Sequence, residues 1–68
     1  MSKHLERAVV IAGSQSALAR AIDRSPTAIW KALKRGGKVS AEDAIAIEKA
    51  TGAKVTRAQL RPDIFGGA

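Results

Sequence analysis

Start and stop signals cut this chain into short pieces, and that punctuation restricts its fold more than any other feature. Gly13, the pair Gly36-Gly37, Gly52 and Pro62 each close a segment, while Ser14, Ser25-Pro26, Ser40 and Thr56 each open the next. A serine or threonine oxygen satisfies free amides of a first helical turn, and glycine takes the left-handed residue that ends a helix. Proline at a first helical position sacrifices no hydrogen bond. A chain punctuated this way forms short helices, and no long one.

The apolar spacing between these signals is helical. Residues 3–12 carry Leu5, Val9 and Ala12 on one side, with Lys3, Glu6 and Arg7 elsewhere. Leu18, Ala19 and Ile22 make the stripe of residues 15–22, from which Arg20 points away. In residues 26–35, Ile29, Ala32 and Leu33 share a face that Gly36 continues, and Thr27, Lys31 and Lys34 occupy the opposite one. Ser40-Ala41-Glu42-Asp43 reads as a capping box with Asp in place of Glu, which accounts for both acids. It opens a fourth helix with Ala44, Ile45, Ile47 and Ala50 inward. Thr56-Arg57-Ala58-Gln59 repeats the device, and Val55 and Leu60 sit where a hydrophobic staple belongs. Pro62 holds this last helix to about one turn, leaving Ile64 and Phe65 to pack as a tail and residues 66–68 frayed. No sustained period-2 alternation and no Asn-Gly or Asp-Gly turn is present. The expected fold is all-α: five short helices in a single domain, residues 1–68.

Composition narrows the function. Alanine makes up 14 of the 31 apolar residues, which suits helices packed closely around a thin core. The absence of cysteine removes disulfides and thiolate metal sites and fits a reducing cytosol. No apolar run approaches the roughly 18 residues of a membrane span, and the N-terminus lacks a signal-peptide layout, so a cytoplasmic protein without membrane contact is expected. His4 has no metal-ligating partner at suitable spacing and reads as solvent-facing. Ser14 and Ser16 are caps or phosphate donors, since no base and orienting acid accompany them. With no catalytic constellation and little room for a pocket, the chain is expected to be no enzyme and to need no cofactor or metal.

The charge is segregated. Residues 20–38 hold Arg20, Arg24, Lys31, Lys34, Arg35 and Lys38 against Asp23 alone, which is +5 of the formal +6. A local excess of this kind attracts a polyanion, and the abundant cytosolic polyanion is nucleic acid.

The same segment contains a short helix, a three-residue turn and a second amphipathic helix, residues 15–35. Ala19 stands where the two helices must cross closely, and the turn at Asp23 needs left-handed backbone. The run from Gln15-Ser16-Ala17-Leu18-Ala19-Arg20-Ala21-Ile22 through Ser25-Pro26-Thr27-Ala28-Ile29-Trp30-Lys31-Ala32-Leu33 resembles the helix-turn-helix of the Cro family of phage repressors. The chain is also similar to the small Cro-like regulators known as YdaS-type antitoxins. Those sequences continue, as here, through a Gly-Gly stretch, a capped helix like Ala44-Ile45-Ala46-Ile47-Glu48-Lys49-Ala50-Thr51-Gly52, and a closing Leu60-Arg61-Pro62-Asp63-Ile64-Phe65. The resemblance covers about residues 5–65. Two positions depart from it: Asp23 stands where glycine is usual, at a cost of about a kcal/mol or less, and Arg24 replaces a buried aliphatic. Arg24 must lie flat with its head in solvent or reach a phosphate.

The resemblance implies a Cro- or lambda-repressor-like domain whose third helix enters the major groove. Carried over by position, Pro26, Thr27, Ala28, Trp30 and Lys31 face the bases. Lys31 suits guanine O6 and N7, Thr27 a base edge or thymine methyl, and Ala28 or Pro26 that methyl. Gln15 and Ser16 match the family's phosphate-clamping positions, and Arg24, Lys34, Arg35 and Lys38 join them on the backbone. Trp30 either lies on the groove-facing arc or packs against the fourth helix or the tail. The implied protein is a sequence-specific repressor that binds a palindromic operator in double-stranded DNA as a homodimer, with Ile64 and Phe65 at the interface. The alternative is an antitoxin-like interaction module, its main partner a toxin protein and DNA binding secondary. Some Cro relatives build the part after the recognition helix as a β-hairpin, but in residues 38–65 the capping boxes, Gly52 and the alanine-rich fourth segment favour helices.

Overall fold

Four side-chain oxygens start four helices in the computed structural model, which describes residues 3–66. Gly67 and Ala68, two residues of the expected frayed tail, lie outside the described residues. The helices are α1 (Lys3–Ala12), α2 (Gln15–Ala21), α3 (Pro26–Lys34), α4 (Ala41–Ala50), α5 (Arg57–Leu60) and α6 (Pro62–Phe65). Ser14 Oγ accepts the Ala17 amide at 3.0 Å, Ser25 Oγ that of Ala28 at 3.2 Å, and Ser40 Oγ that of Asp43 at 3.1 Å. Thr56 closes a full capping box: its hydroxyl accepts from the Gln59 amide at 3.1 Å, and Gln59 Oε1 accepts from the Thr56 amide at 3.0 Å. The Ser40 box is only half made, because the Asp43 carboxylate turns to Arg24 instead.

Helices α2, α3 and α4 end alike. In each, the amide two residues past the C-cap bonds a carbonyl five residues back: Arg24 to Ala19 at 2.7 Å, Gly37 to Ala32 at 2.8 Å, Ala53 to Glu48 at 2.8 Å. The residue between cap and donor must be left-handed. Gly36 and Gly52 fill that place, and Asp23 does so at φ 60°.

Among the described residues there are six helices, one more than expected, and no strand. Arg61, at φ −133° and ψ 70°, breaks the last segment as Pro62 requires, but Pro62 then serves as the first residue of a new turn. Phe65 and Gly66 donate to Arg61 and Pro62 carbonyls at 2.9 and 3.0 Å, so Ile64 and Phe65 are helical.

The core joins Leu5 and Ala8 of α1, Leu18 and Ala19 of α2, Ile22, Ile29 of α3, Val39, Ala44 and Ile47 of α4, Val55 and Leu60. α2 packs on α3, α1 and α4, and α4 packs on α5. On α4 the buried face runs through Ala44, Ile47 and Thr51, so Ala50 is exposed rather than inward and Ile45 is half-buried. Helical periodicity from Ala44 and Ile47 reaches Thr51, not Ala50. The Thr51 hydroxyl meets the Ile47 carbonyl at 2.9 Å and accepts the Val55 amide at 3.2 Å, tying the end of α4 to the loop that follows. Among the described residues no helix is long and apolar enough to cross a membrane.

Candidate nucleic-acid interface

The residues of α3 separate by the helical period. Ile29 is buried, with Ala32 and Leu33 half-buried against the core. Pro26, Thr27, Ala28, Trp30, Lys31, Lys34 and Arg35 are all exposed, so every base-reading position expected on this helix is presented to solvent. Thr27, Trp30 and Lys34 share one line along it at helical spacing, and Ala28, Lys31 and Arg35 the neighbouring line. Trp30 is 50% exposed and outside the core, with Lys34 Nζ 5.1 Å from its ring centroid. That cation–π contact positions the ammonium over the indole instead of pairing it with an acid.

Two depressions flank this ridge. One lies between α2 and the start of α3 and is lined by Ser16, Arg20, Asp23, Arg24 and Pro26. The other runs between α3 and α4, where Arg24, Ala28, Lys31, Arg35, Lys38 and Asp43 line a groove of about 230 Å³. The fold thus brings Ser16, Arg24 and Pro26 together at the start of α3, and sets Ala28, Lys31, Arg35 and Lys38 along its side toward α4. It adds Arg20, whose charge the sequence counts but whose nearness to Pro26 depends on the angle between two helices. Gln15 is half-buried at the start of α2 and, unlike Ser16, does not line this depression.

Cations differ sharply in how they are held. Among the described residues Arg20, Lys31, Lys34, Arg35 and Lys38 make no ion pair. Arg24 does: its Nε donates to Asp43 Oδ1 at 2.9 Å, across 19 residues of sequence. The guanidinium therefore has a fixed place beside α3, while its two terminal nitrogens have no protein acceptor. In the C-terminal part the arginines are tied to acids. Arg57 Nε donates to Glu48 at 2.6 Å, and Arg61 grips Asp63 through two nitrogens at 3.0 and 2.7 Å. The Arg61 hydrogen bonds hold the Asp63 carboxyl down to about 2, and the side-chain hydrogen bond from Arg57, followed by the bond from its amide, lowers that of Glu48.

Three further placements matter. Ile64 is 50% exposed, whereas Phe65 folds against the core beneath the Arg57 guanidinium, 5.7 Å from its ring. His4 is not solvent-facing as expected. It is half-buried, and its Nδ1 is buried without a hydrogen-bond partner, because α1 lies close to the α3–α4 loop and the α5–α6 junction. Val10 and Ile11 of α1 are exposed.

Comparison with known proteins finds one family and one curated relative. The family described as "Bacterial toxin YdaS" matches residues 5–68. The chain is 39% identical over 59 residues to the protein of Escherichia coli (strain K12) named "Putative transcriptional regulator YdaS", an alignment that takes in 87% of this chain. It spans 60% of the length of that curated relative. No solved structure matches.

Proposed function

Because the chain belongs to the bacterial toxin YdaS family, we propose that it is a cytoplasmic, non-enzymatic transcriptional regulator that binds operator DNA as a Cro-type repressor. The relative's name points the same way. The carrying observation is the ridge of α3: an exposed row of base-reading side chain types, bordered by five cations that no carboxylate neutralises. Lys31 reads guanine, Thr27 and Ala28 meet base edges and methyls, and Trp30 lies along the groove wall. Ser16, Arg20, Arg24, Lys34, Arg35 and Lys38 hold phosphates on either side, with Gln15 adding a side-chain amide.

A nine-residue helix is about 13 Å long and covers about four base pairs, so one subunit reads a half-site. Two subunits on a palindrome, with recognition helices about 34 Å apart, supply the rest. The principal extents of 32 × 24 × 18 Å allow two copies to lie side by side at that separation. In this reading Ile64 lies at the subunit interface and Phe65 supports it from the core.

The test is a salt titration of a labelled duplex selected from a random pool. A steep negative slope of log affinity against log salt is expected, and a flat one overturns the proposal. Lys31→Ala should lose discrimination between selected and random duplex, while Lys38→Ala should weaken both alike.

The second reading, an interaction module with a toxin partner, draws on exposed Ile64 and on the family's description. Ile64→Lys separates the two. Lost self-association with an intact monomer favours the dimer interface, and unchanged self-association leaves Ile64 to another protein.

A further inference from the structure

Asp43 stands in a place that charge alone does not explain. Among the residues lining the groove between α3 and α4 it is the one acid, beside Arg24, Lys31, Arg35 and Lys38. A carboxylate there repels the phosphates that those cations attract. Its place in the first turn of α4 suits a capping acid, yet it accepts no bond from the Ser40 amide, as a closed capping box requires. The carboxylate reaches across to Arg24 instead, whose Nε donates to Oδ1 at 2.9 Å.

Both ends of this bond are anchored. The Arg24 amide donates to the Ala19 carbonyl at 2.7 Å, directly after the left-handed turn at Asp23, and the Asp43 amide donates to Ser40 Oγ at 3.1 Å. The Asp43 side chain is 23% exposed against 47% for Arg24. The short, covered acid is therefore the anchor, and the long arginine is the group it orients. Asp23 and Glu42 line the adjoining depression with Arg24, but among the described residues neither bonds it. The N–H groups of a guanidinium lie in one plane. Nε gives its hydrogen to Asp43, which leaves those of Nη1 and Nη2 as a fork that matches two oxygens of one phosphate. Arg24 also borders the depression that Ser16, Arg20 and Pro26 line at the start of α3.

We propose that Asp43 is a positioning residue for DNA binding, holding Arg24 by Nε so that Nη1 and Nη2 are set in advance for a phosphate beside the start of α3. A free arginine loses side-chain freedom when it binds, and one already held loses less. Resting on the DNA reading, this role makes an acid in a basic groove strengthen binding, where charge alone would weaken it.

That sign is what the experiment reads. Affinity for a duplex selected from a random pool is measured for the full chain, Asp43→Ala, Arg24→Gln and the double variant. Asp43→Ala should bind about two- to tenfold more weakly although it removes a negative charge. In the Arg24→Gln background the same change should cause no loss. Should Asp43→Ala lose its helical circular dichroism, Asp43→Asn takes its place in the cycle, with a smaller loss expected because an acceptor oxygen remains. Tighter or unchanged binding on loss of the acid means that Asp43 only repels DNA, and an equal loss in both backgrounds means that it serves α4; either result overturns the proposal. In the protein without DNA, the ¹⁵N–¹H signal of Arg24 Nε should move in Asp43→Ala, and a signal that stays in place also overturns it. If the unaltered chain binds no duplex, the DNA reading itself fails and this role with it. If it binds and the cycle goes the wrong way, the role of Asp43 fails alone.

Discussion

The helix-turn-helix with its following loop and the C-terminal part from Val39 onward are built from similar short capped helices, yet they treat charge in opposite ways. Residues 20–38 hold six bases and one acid, and only Arg24 is ion-paired, to an acid outside the segment. Residues 39–66 hold four bases and four acids, and the arginines Arg57 and Arg61 are both paired locally. Exposed ion pairs add little stability, so the C-terminal pairs matter mainly as neutralisers: they leave one face of the molecule with the unbalanced field. The difference separates a surface that presents cations to a partner from one that consumes them internally. Asp43 is the link, donated by the neutral half to fix one arginine of the charged half.

The strongest way to break this comparison is to neutralise its charged side. Replacing Lys34, Arg35 and Lys38 by Gln should make the salt dependence of duplex binding shallower by about 2 to 3 log units per log unit of salt, at about 0.9 per phosphate contact. The same change at Lys49 and Lys54 should leave the slope unmoved. Equal losses would mean that the segregated charge carries no function.

Leu18 is fully buried in the core shared by both parts. Leu18→Ala should cost about 2–5 kcal/mol by thermal or urea unfolding, with both parts melting in one transition. Separate transitions would show that the two parts are independent units.

Thr51→Val sharpens the contrast from the neutral side. It leaves the buried Val55 amide unpartnered and should cost about 1–3 kcal/mol, with the duplex salt slope unchanged. In the charged half, Asp23→Gly should raise stability by up to about 1 kcal/mol, because glycine takes φ 60° without a Cβ penalty. It also removes the acid from the interface, so affinity should rise rather than fall.

The smallest effect concerns pH. Asp63 titrates below its ordinary value in the fold, so its contribution is complete above about pH 4 and is lost as pH falls toward about 2. Asp63→Asn should flatten the acid limb of the stability profile in that window, and a carboxyl ¹³C titration should place the Asp63 midpoint near 2.

Much of the molecule was legible before its fold. Ser14, Ser25, Ser40 and Thr56 cap the helices they precede, and Asp23 adopts the left-handed turn, because each of these bonds spans only a few residues of backbone. The exposed side of α3 followed from its period. What escaped was contact between distant segments. The Arg24–Asp43 bond crosses 19 residues, and the box at Ser40 gave no sign that its acid would leave it. Ala50 looked inward because it lies three residues past Ile47, but the period that runs from Ala44 and Ile47 reaches Thr51, which the core takes instead. His4 looked solvent-facing until α1 was laid beside the α3–α4 loop.

By itself, then, the sequence determined where helices begin and end, which stripe of each is apolar and which segment holds the excess charge. Those properties reside in neighbours along the backbone, whose geometry is set by bond rotations and hydrogen bonds of short span. Only the tertiary structure decided which cations remain unpaired and which are tied to acids, and that an acid of α4 holds Arg24 beside the start of α3. Those outcomes depend on distances between side chains far apart in the chain, which exist only after the helices have packed around Leu5, Leu18 and Ile47.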